Sequence, residues 1–225
     1  MDRIEHAIAE AARCGLDLRL SDQGLTLEGD GMLLRADFRD MEPRLAPGRL
    51  SRELLVRAAK VKKAEGTLLA VDATAGLGED SLLLAAAGFQ VKMFERNPVI
   101  AALLEDALRR GAENPRLADA IARMELCAQD SISALAEGDL APDVVYLDPM
   151  FPARQKSAAV KKKFQLLHHL ENPCDDAEEL LRSALAAHPR KVVIKRPPKG
   201  PHLAGVKPSY SLSGKAVRYD VIALP

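Results

Sequence analysis

Cysteine is scarce in this chain of 225 residues: Cys14, Cys127 and Cys174 are odd in number and far apart. They form neither a C-x-x-C pair nor a set with a nearby His-x-x-x-His, so neither a disulfide framework nor a zinc module is expected, and buried or incidental thiols remain. No stretch approaches the roughly 18 uncharged apolar residues of a spanning helix, and the opening Met1-Asp2-Arg3-Ile4-Glu5-His6 lacks the apolar centre of a signal peptide. A soluble protein of the cytoplasm, without a membrane partner, is the expectation. Net charge of one sign is also missing, since 32 Lys and Arg balance 32 Asp and Glu. That argues against a surface basic all over, so any contact with nucleic acid requires a local basic face. Internal repeats, low-complexity tracts, a P-loop and a Ser-His-Asp order are absent as well.

What is present is 48% hydrophobic and 28% charged, the balance of a globular domain. Residues 1–48 begin with a short amphipathic segment and continue in alternating stretches, Leu16 to Leu20 and Leu25 to Glu28, with Asp30-Gly31 as a tight turn before Met32 to Phe38. They predict a small β-rich N-terminal unit ending near Pro47-Gly48. A helix from Ser51 to Ala64, opened by a serine cap, follows. From residue 67 short apolar strands alternate with helical segments: strands over 67–73, 90–95, 123–128, 143–147 and 191–195, helices over 80–87, 98–110 and 177–187. This order predicts an α/β domain over 49–225 with a doubly wound, mostly parallel, Rossmann-like sheet. Tyr210 to Leu212 and Val217 to Ala223, joined by Ser213-Gly214-Lys215, predict an antiparallel hairpin at the C-terminal end.

Three strand ends carry the chemistry. The first strand runs into Val71-Asp72-Ala73-Thr74-Ala75-Gly76-Leu77-Gly78-Glu79-Asp80. Gly76 and Gly78 allow a sharp turn and close approach of a ligand, and the next helix opens with unpaired N–H groups. Nineteen residues beyond Gly76, Glu95 ends the second strand, where a carboxylate accepts from both hydroxyls of a ribose. A dinucleotide meets a specific difficulty here: the third glycine of G-x-G-x-x-G falls on Ser81, and Glu79 and Asp80 put negative charge where a pyrophosphate would lie. The same charge suits the sulfonium and amino group of S-adenosylmethionine. The next strand ends at Asp130, placed either to accept from an adenine amine or to cap the helix beginning at Ser131; one residue can do both.

The third strand end is the most specific: Val144-Val145-Tyr146-Leu147-Asp148-Pro149-Met150-Phe151-Pro152. A buried strand delivers Asp148 to the sheet edge, and two prolines stiffen the loop beyond it. This suits methylation of an aromatic amine. The amine's two N–H groups would meet the Asp148 carboxylate and the Pro149 carbonyl, while Phe151 stacks on the base; whether Asp148 also takes the proton stays open at this point. Directly after the loop come five basic residues and no acid, Arg154, Lys156, Lys161, Lys162 and Lys163, and Lys195-Arg196 extends the same edge after a later strand. Such a run is either a solvated helix face or a set of contacts to phosphates beside an extruded base. The pair His168-His169 has no companion at metal-ligand spacing, and no metal site is expected.

With V-D-A-T-A-G-L-G-E-D, F-E-R-N-P, Y-L-D-P-M-F-P, K-S-A-x-V-K-K and V-V-I-K-R-P in this order, residues 67–225 closely resemble the ribosomal RNA small subunit methyltransferase J family. The resemblance implies a class I methyltransferase sheet, S-adenosylmethionine as cofactor, and 16S rRNA or the small ribosomal subunit as partner. The implied reaction methylates N2 of a guanosine, the one usually numbered 1516. It further implies cofactor contacts at Glu79, Asp80, Glu95, Arg96, Asp130, Ser131 and Asp148. The stretch Phe38 to Arg52 departs from the Gly- and Arg-rich pattern of the family at this place. Three rivals remain: an NAD-linked oxidoreductase, which would bind nicotinamide cofactor; a non-catalytic RNA-binding module, which would show no methyl transfer; and an adenine-N6 methyltransferase, which shares the Asp-Pro-x-Phe logic.

Overall fold

The computed structural model describes residues 3–62, 66–149, 166, 170 and 176–224. The chain opens with helix α1 (Arg3–Arg13) and a three-stranded antiparallel sheet, β1 (Asp17–Ser21), β2 (Gly24–Gly29) and β3 (Met32–Leu34). Asp30 and Gly31 both take positive φ, 51° and 68°, the geometry that matches a two-residue turn to the twist of its strands. Phe38–Met41 forms a 3-10 turn leading into the short α2 (Glu42–Leu45).

The helix expected over 51–64 is shorter. Ser51 lies inside a 3-10 turn, Leu50–Arg52, and α3 spans Leu54–Ala59. The cause is at Glu53, whose backbone is extended (φ −58°, ψ 128°) and whose carboxylate is gripped by Arg44 through Nε at 2.8 Å and Nη2 at 2.7 Å.

Five parallel strands then alternate with helices: β4 (Leu69–Asp72), α4 (Glu79–Ala86), β5 (Gln90–Phe94), α5 (Pro98–Ala112), α6 (Ala118–Ile121), β6 (Met124–Cys127), α7 (Ser131–Ala136), β7 (Val144–Leu147), α8 (Ala177–Ala186) and β8 (Lys191–Arg196). The hairpin β9 (Tyr210–Ser213) and β10 (Arg218–Ala223) completes a sheet of order β6-β5-β4-β7-β8-β10-β9. β10 is antiparallel to both β8 and β9, so the second strand of the hairpin enters the sheet and the first forms its edge.

The strands are apolar on both faces because helices cover both. Val71, Val145, Leu147, Val192 and Ile194 pack with Leu180, Leu181 and Ala184 of α8. Their neighbours in the alternation, Ala70, Val144, Tyr146 and Val193, belong to the opposite core with Leu82, Leu83, Leu103 and Leu104 of α4 and α5. Leu18, Leu25, Leu27 and Phe38 from the N-terminal sheet and its following turn are buried in that same core. Polar groups tie the N-terminal sheet to α5: Asp106 Oδ2 accepts from Leu25 N at 2.8 Å and from Arg110 Nε at 2.8 Å. Parity along each strand therefore decides which edge residues face α4. Asp72 follows Ala70 on that face, Asp148 follows Tyr146, and Lys195 follows Val193.

Candidate functional site

The carboxyl end of β4 turns through Gly76 and Gly78 into α4. Gly76 has φ +54° with open space where a Cβ would stand. Gly78 is constrained twice, by φ +77° and by Leu104 Cδ1, which lies 2.6 Å from the place of a Cβ. Glu95, 6% exposed at the end of β5, holds this turn: Oε2 accepts from Gly76 N at 3.0 Å and Oε1 from Asn97 N at 2.8 Å. These two bonds fix the carboxylate at the strand end beside the turn. Asn97 then caps α5, accepting from Val99 N at 2.9 Å and Ile100 N at 3.2 Å, with Pro98 in the first turn.

Asp130 is the N-cap of α7. Its Oδ2 accepts from Ser133 N at 2.9 Å and Ser133 Oγ at 3.1 Å, and Ser131 is buried beside it. The capping role weighed from sequence is therefore present, and the bonds to Ser133 use one oxygen only. Arg96 is exposed and pairs through Nη1 with Asp176 Oδ2 at 2.8 Å. Glu79 begins α4 and is half-buried.

The second part of the site surrounds Asp148. Its N–H donates to Thr74 Oγ1 at 2.6 Å, which ties the loop after β7 to the loop after β4, and Pro149 is buried. Lys195, expected at the phosphate-facing edge, places its Nζ 2.7 Å from Asp80 Oδ2 and 2.8 Å from Asp148 Oδ2. The same Asp80 oxygen accepts from Tyr146 Oη at 2.6 Å. Beneath them Asp72, 1% exposed, accepts from Ser81 Oγ at 2.5 Å and Thr74 N at 3.1 Å. This bond gives Ser81, the residue that breaks the dinucleotide pattern, a partner of its own. Arg196 points to the opposite face; it is 3% exposed and donates from Nε to Pro201 O at 2.7 Å. Neither Lys195 nor Arg196 presents its charge freely at the sheet edge.

Crowding of acids sets the electrostatics. Burial pushes the Asp72 carboxyl up to about 7, against the bonds from Ser81 and Thr74, with the charges of Asp80 and Asp148 adding to the rise. Burial also works against ionisation of Asp80, but the Lys195 charge and hydrogen bond outweigh it and hold that carboxyl below its ordinary value. Asp148 is raised, by burial and by Asp80, despite Lys195. Burial disfavours the Lys195 ammonium, yet the two carboxylates raise its pKa above the ordinary lysine value.

Several of these residues were not singled out from sequence: Asp72, Thr74, Tyr146 and Tyr219. Asp72 could have been found as an acid at the end of a buried strand; Tyr146 and Tyr219 read there as ordinary strand residues. Beside Tyr219 lies a cavity of about 320 Å³, lined also by Arg44, Arg49, Arg52 and Glu53 from the segment joining the two sheets. The charge of Arg44 acts on Asp80, so this basic cleft borders the carboxylate cluster. The sequence-expected Phe151, Arg154, Lys156, Lys161, Lys162 and Lys163, with His168, His169 and Cys174, lie outside the described residues. Among the described residues no group of three metal-ligating side chains forms a metal site, and no helix is long and apolar enough to cross a membrane.

Comparison with known proteins adds independent findings. A family model described as "Putative SAM-dependent methyltransferase" matches residues 3–223. The chain is 42% identical to ribosomal RNA small subunit methyltransferase J of Marinobacter nauticus over 92% of this chain and 77% of that protein. It is also 42% identical to the protein of that name in Thioalkalivibrio sulfidiphilus, over 98% and 93%. Among solved structures, a SAM-dependent methyltransferase of Neisseria gonorrhoeae superposes with a TM-score of 0.69 at 35% identity, covering 88% of this chain and 78% of that one. The rRNA methyltransferase AviRa of Streptomyces viridochromogenes, at 19% identity and TM-score 0.50 over 79% and 87%, shares the fold.

Proposed function

From a chain that belongs to the ribosomal RNA small subunit methyltransferase J family of SAM-dependent methyltransferases, we infer transfer of a methyl group from S-adenosylmethionine to the exocyclic N2 of a guanosine in 16S rRNA. The observation that carries this is the meeting, at one sheet edge, of an open glycine turn held by a buried glutamate with a lysine-bound aspartate after β7. Such a target places the enzyme in the cytoplasm.

The residues fit the cofactor. The space over Gly76 admits a ligand against the backbone, Glu95 stands at the end of β5 where a carboxylate meets ribose hydroxyls, and the Oδ1 of Asp130 is available to an adenine amine. Glu79 and Asp80 supply negative charge for a cationic ligand, and Ser131 and Arg96 border the same edge. When bound, S-adenosylmethionine supplies an electrophilic methyl group on a sulfonium.

The chain's own part is to prepare the nucleophile. The lone pair of an aryl amine is delocalised into its ring, so hydrogen bonds from its two N–H groups to the Asp148 carboxylate and the Pro149 carbonyl favour a geometry in which the lone pair points at the methyl. Transfer of the methyl from sulfur to N2 would leave a neutral thioether and a nitrogen with one proton too many, and Asp148 is the group assigned to accept that proton. Phe151 is assigned to stacking on the base. The run from Arg154 to Lys163, and the exposed Arg49 and Arg52 of the cleft, are assigned to flanking phosphates; Lys195 and Arg196 are engaged inside the fold instead.

The test is transfer of labelled methyl to 16S rRNA and to small subunits, followed by digestion to nucleosides. N2-methylguanosine is the expected product, and the better substrate tells whether naked RNA or the assembled particle is recognised. Methyl on adenine N6, or RNA binding without transfer, would overturn the inference.

A further inference from the structure

Strand parity sends two adjacent basic residues of β8 to opposite faces: Arg196 toward α8 and Lys195 toward α4. Lys195 pairs in register with Tyr219 of β10 and reaches across the carboxyl end of β7. Its ammonium lies between two carboxylates that come from different elements, Asp80 of α4 at 2.7 Å and Asp148 after β7 at 2.8 Å. Its side chain is 30% exposed, against 16% for Asp80 and 36% for Asp148. A lysine free to contact RNA phosphates would extend its ammonium into solvent; this one is drawn inward to the acids.

We propose that Lys195 is a positioning residue of the transfer site, its ammonium locking the Asp148 carboxylate to Asp80 so that Asp148 meets the target amine ionised and in one orientation. The proposal rests on the methyl-transfer reading above and deepens it. Two carboxylates facing one another without a cation disfavour each other's charge, and one takes up a proton more readily. A protonated Asp148 would neither draw both N–H groups of an amine into place nor accept the proton that leaves it. Lysine suits the task because its compact ammonium has three donors and can serve two acids at once.

Among the described residues Lys195 is the close cation. Asp72 lies below from β4, Tyr146 from β7 donates its hydroxyl to Asp80, and Tyr219 from β10 is buried next to Lys195. Arg44, from the segment before α3, acts on Asp80 at longer range but is itself bidentate to Glu53. Arg196 acts weakly on Asp148 from the other face of the strand. Burial raises both Tyr146 and Tyr219 above the ordinary tyrosine value, so both remain neutral hydroxyls. None of these described groups replaces the Lys195 charge.

The test is the pH profile of single-turnover methyl transfer at saturating cofactor and RNA. In Lys195→Met the rate at pH 7 should fall about 10²-fold, the loss typical of a misplaced reacting group. The acidic limb should move to higher pH by about 1 to 3 pH units, the range by which an adjacent opposite charge shifts a carboxylate. Lys195→Arg should return the limb toward its wild-type position. Asp80→Asn should move the limb the other way, to lower pH, because Asp148 then faces the lysine without a competing acid, and it serves if Lys195→Met does not fold. A limb unmoved in the folded variants, or a normal rate at saturating RNA together with a shallower salt dependence of RNA binding, would overturn the proposal and make Lys195 a phosphate contact or a packing residue. The aspartate carboxyl carbons, labelled with ¹³C and titrated by NMR in the free protein, report the same change at Asp148 without any substrate. A shift there on Lys195→Met, in a protein whose wild type methylates nothing, would sink the methyl-transfer reading and keep only the lock of Lys195 on Asp148.

Discussion

Two groups of carboxylates sit at the same sheet edge and are held in different ways. On the β5–β6 side, Glu95 and Asp130 accept from backbone N–H groups a few residues away, or, for Gly76, across one strand. On the β7–β8 side, Asp80 and Asp148 are joined by side chains that come from far along the chain: Lys195 lies 115 residues from Asp80 and 47 from Asp148. Backbone donors fix a carboxylate once the local fold forms and do not titrate. Side-chain partners hold a carboxylate only while both keep their protonation states. The first arrangement suits a ligand that must be bound the same way each time, and the second suits a group that exchanges protons during a reaction.

The largest expected effect tests the second group. Asp148→Ala removes the proposed acceptor for the target amine and leaves Lys195 with Asp80, while the backbone bond of residue 148 to Thr74 can persist. Single-turnover methyl transfer should drop by about 10²- to 10⁴-fold, the usual contribution of a positioned acid or base, with cofactor affinity nearly unchanged. Wild-type transfer in a folded Asp148→Ala protein would remove this side of the comparison altogether.

The two groups also differ in how far they were legible in the sequence. Glu95 and Asp130 stand at strand ends a fixed distance from recognisable turns, and their partners are near neighbours or, for Gly76, the adjacent turn, so spacing placed both at the sheet edge. Asp148 was legible for the same reason, through the strand and the two prolines around it. The role of Lys195 was not. It depends on the parity of β8 and on the register that sets Ile194 beside Leu147, and neither is encoded within the segment 191–196 itself. Read locally, Lys195-Arg196 looks like one basic edge; in the fold the two side chains serve opposite faces. The cleft of Arg44, Arg49 and Arg52 was hidden likewise, because it forms only when the segment joining the sheets packs against β10. The strand order around β10 was partly visible: the hairpin could be read from its turn, but not the insertion of its second strand beside β8.

A smaller effect is expected at the backbone-held group. Glu95→Ala should weaken S-adenosylmethionine binding by about 1 to 3 kcal/mol, the worth of hydrogen bonds to a charged acceptor, because the proposed ribose acceptor and the brace of the Gly76 turn are lost together. Calorimetry measures it directly. With RNA and cofactor both saturating, the transfer rate of this variant should stay near wild type, whereas Asp148→Ala should not recover. Equal affinity for the cofactor in the folded variant would take Glu95 out of the site and leave the turn without a ligand-facing acid.

Asp72 lies between the two groups and shares features of both, with one backbone donor, Thr74 N, and one side-chain donor, Ser81 Oγ. It is the most deeply buried of the acids discussed and its carboxyl is pushed up to about 7 by burial, two hydrogen bonds notwithstanding. In the unfolded chain an aspartate titrates near 3.9. Because the folded value is the higher one, the folded protein binds this proton more tightly; the associated stability is fully present below about pH 4 and is lost as pH rises through about 7. Asp72→Asn is neutral at every pH and escapes that loss. The variant should therefore match wild type near pH 4 and exceed it at pH 8, by on the order of 1 to 2 kcal/mol once the weaker bonds from Ser81 and Thr74 to a neutral amide are counted. For a chain of this size that corresponds to a rise in melting temperature of roughly 2 to 8 °C. Thermal unfolding of both proteins at the two pH values isolates the effect, since every other titrating group is common to them. A gain of equal size at pH 4 and pH 8 would mean that packing, not charge, distinguishes the two side chains. No gain at pH 8 would mean that Asp72 is ionised at little cost, held by its two donors as firmly as Glu95 is held by its own.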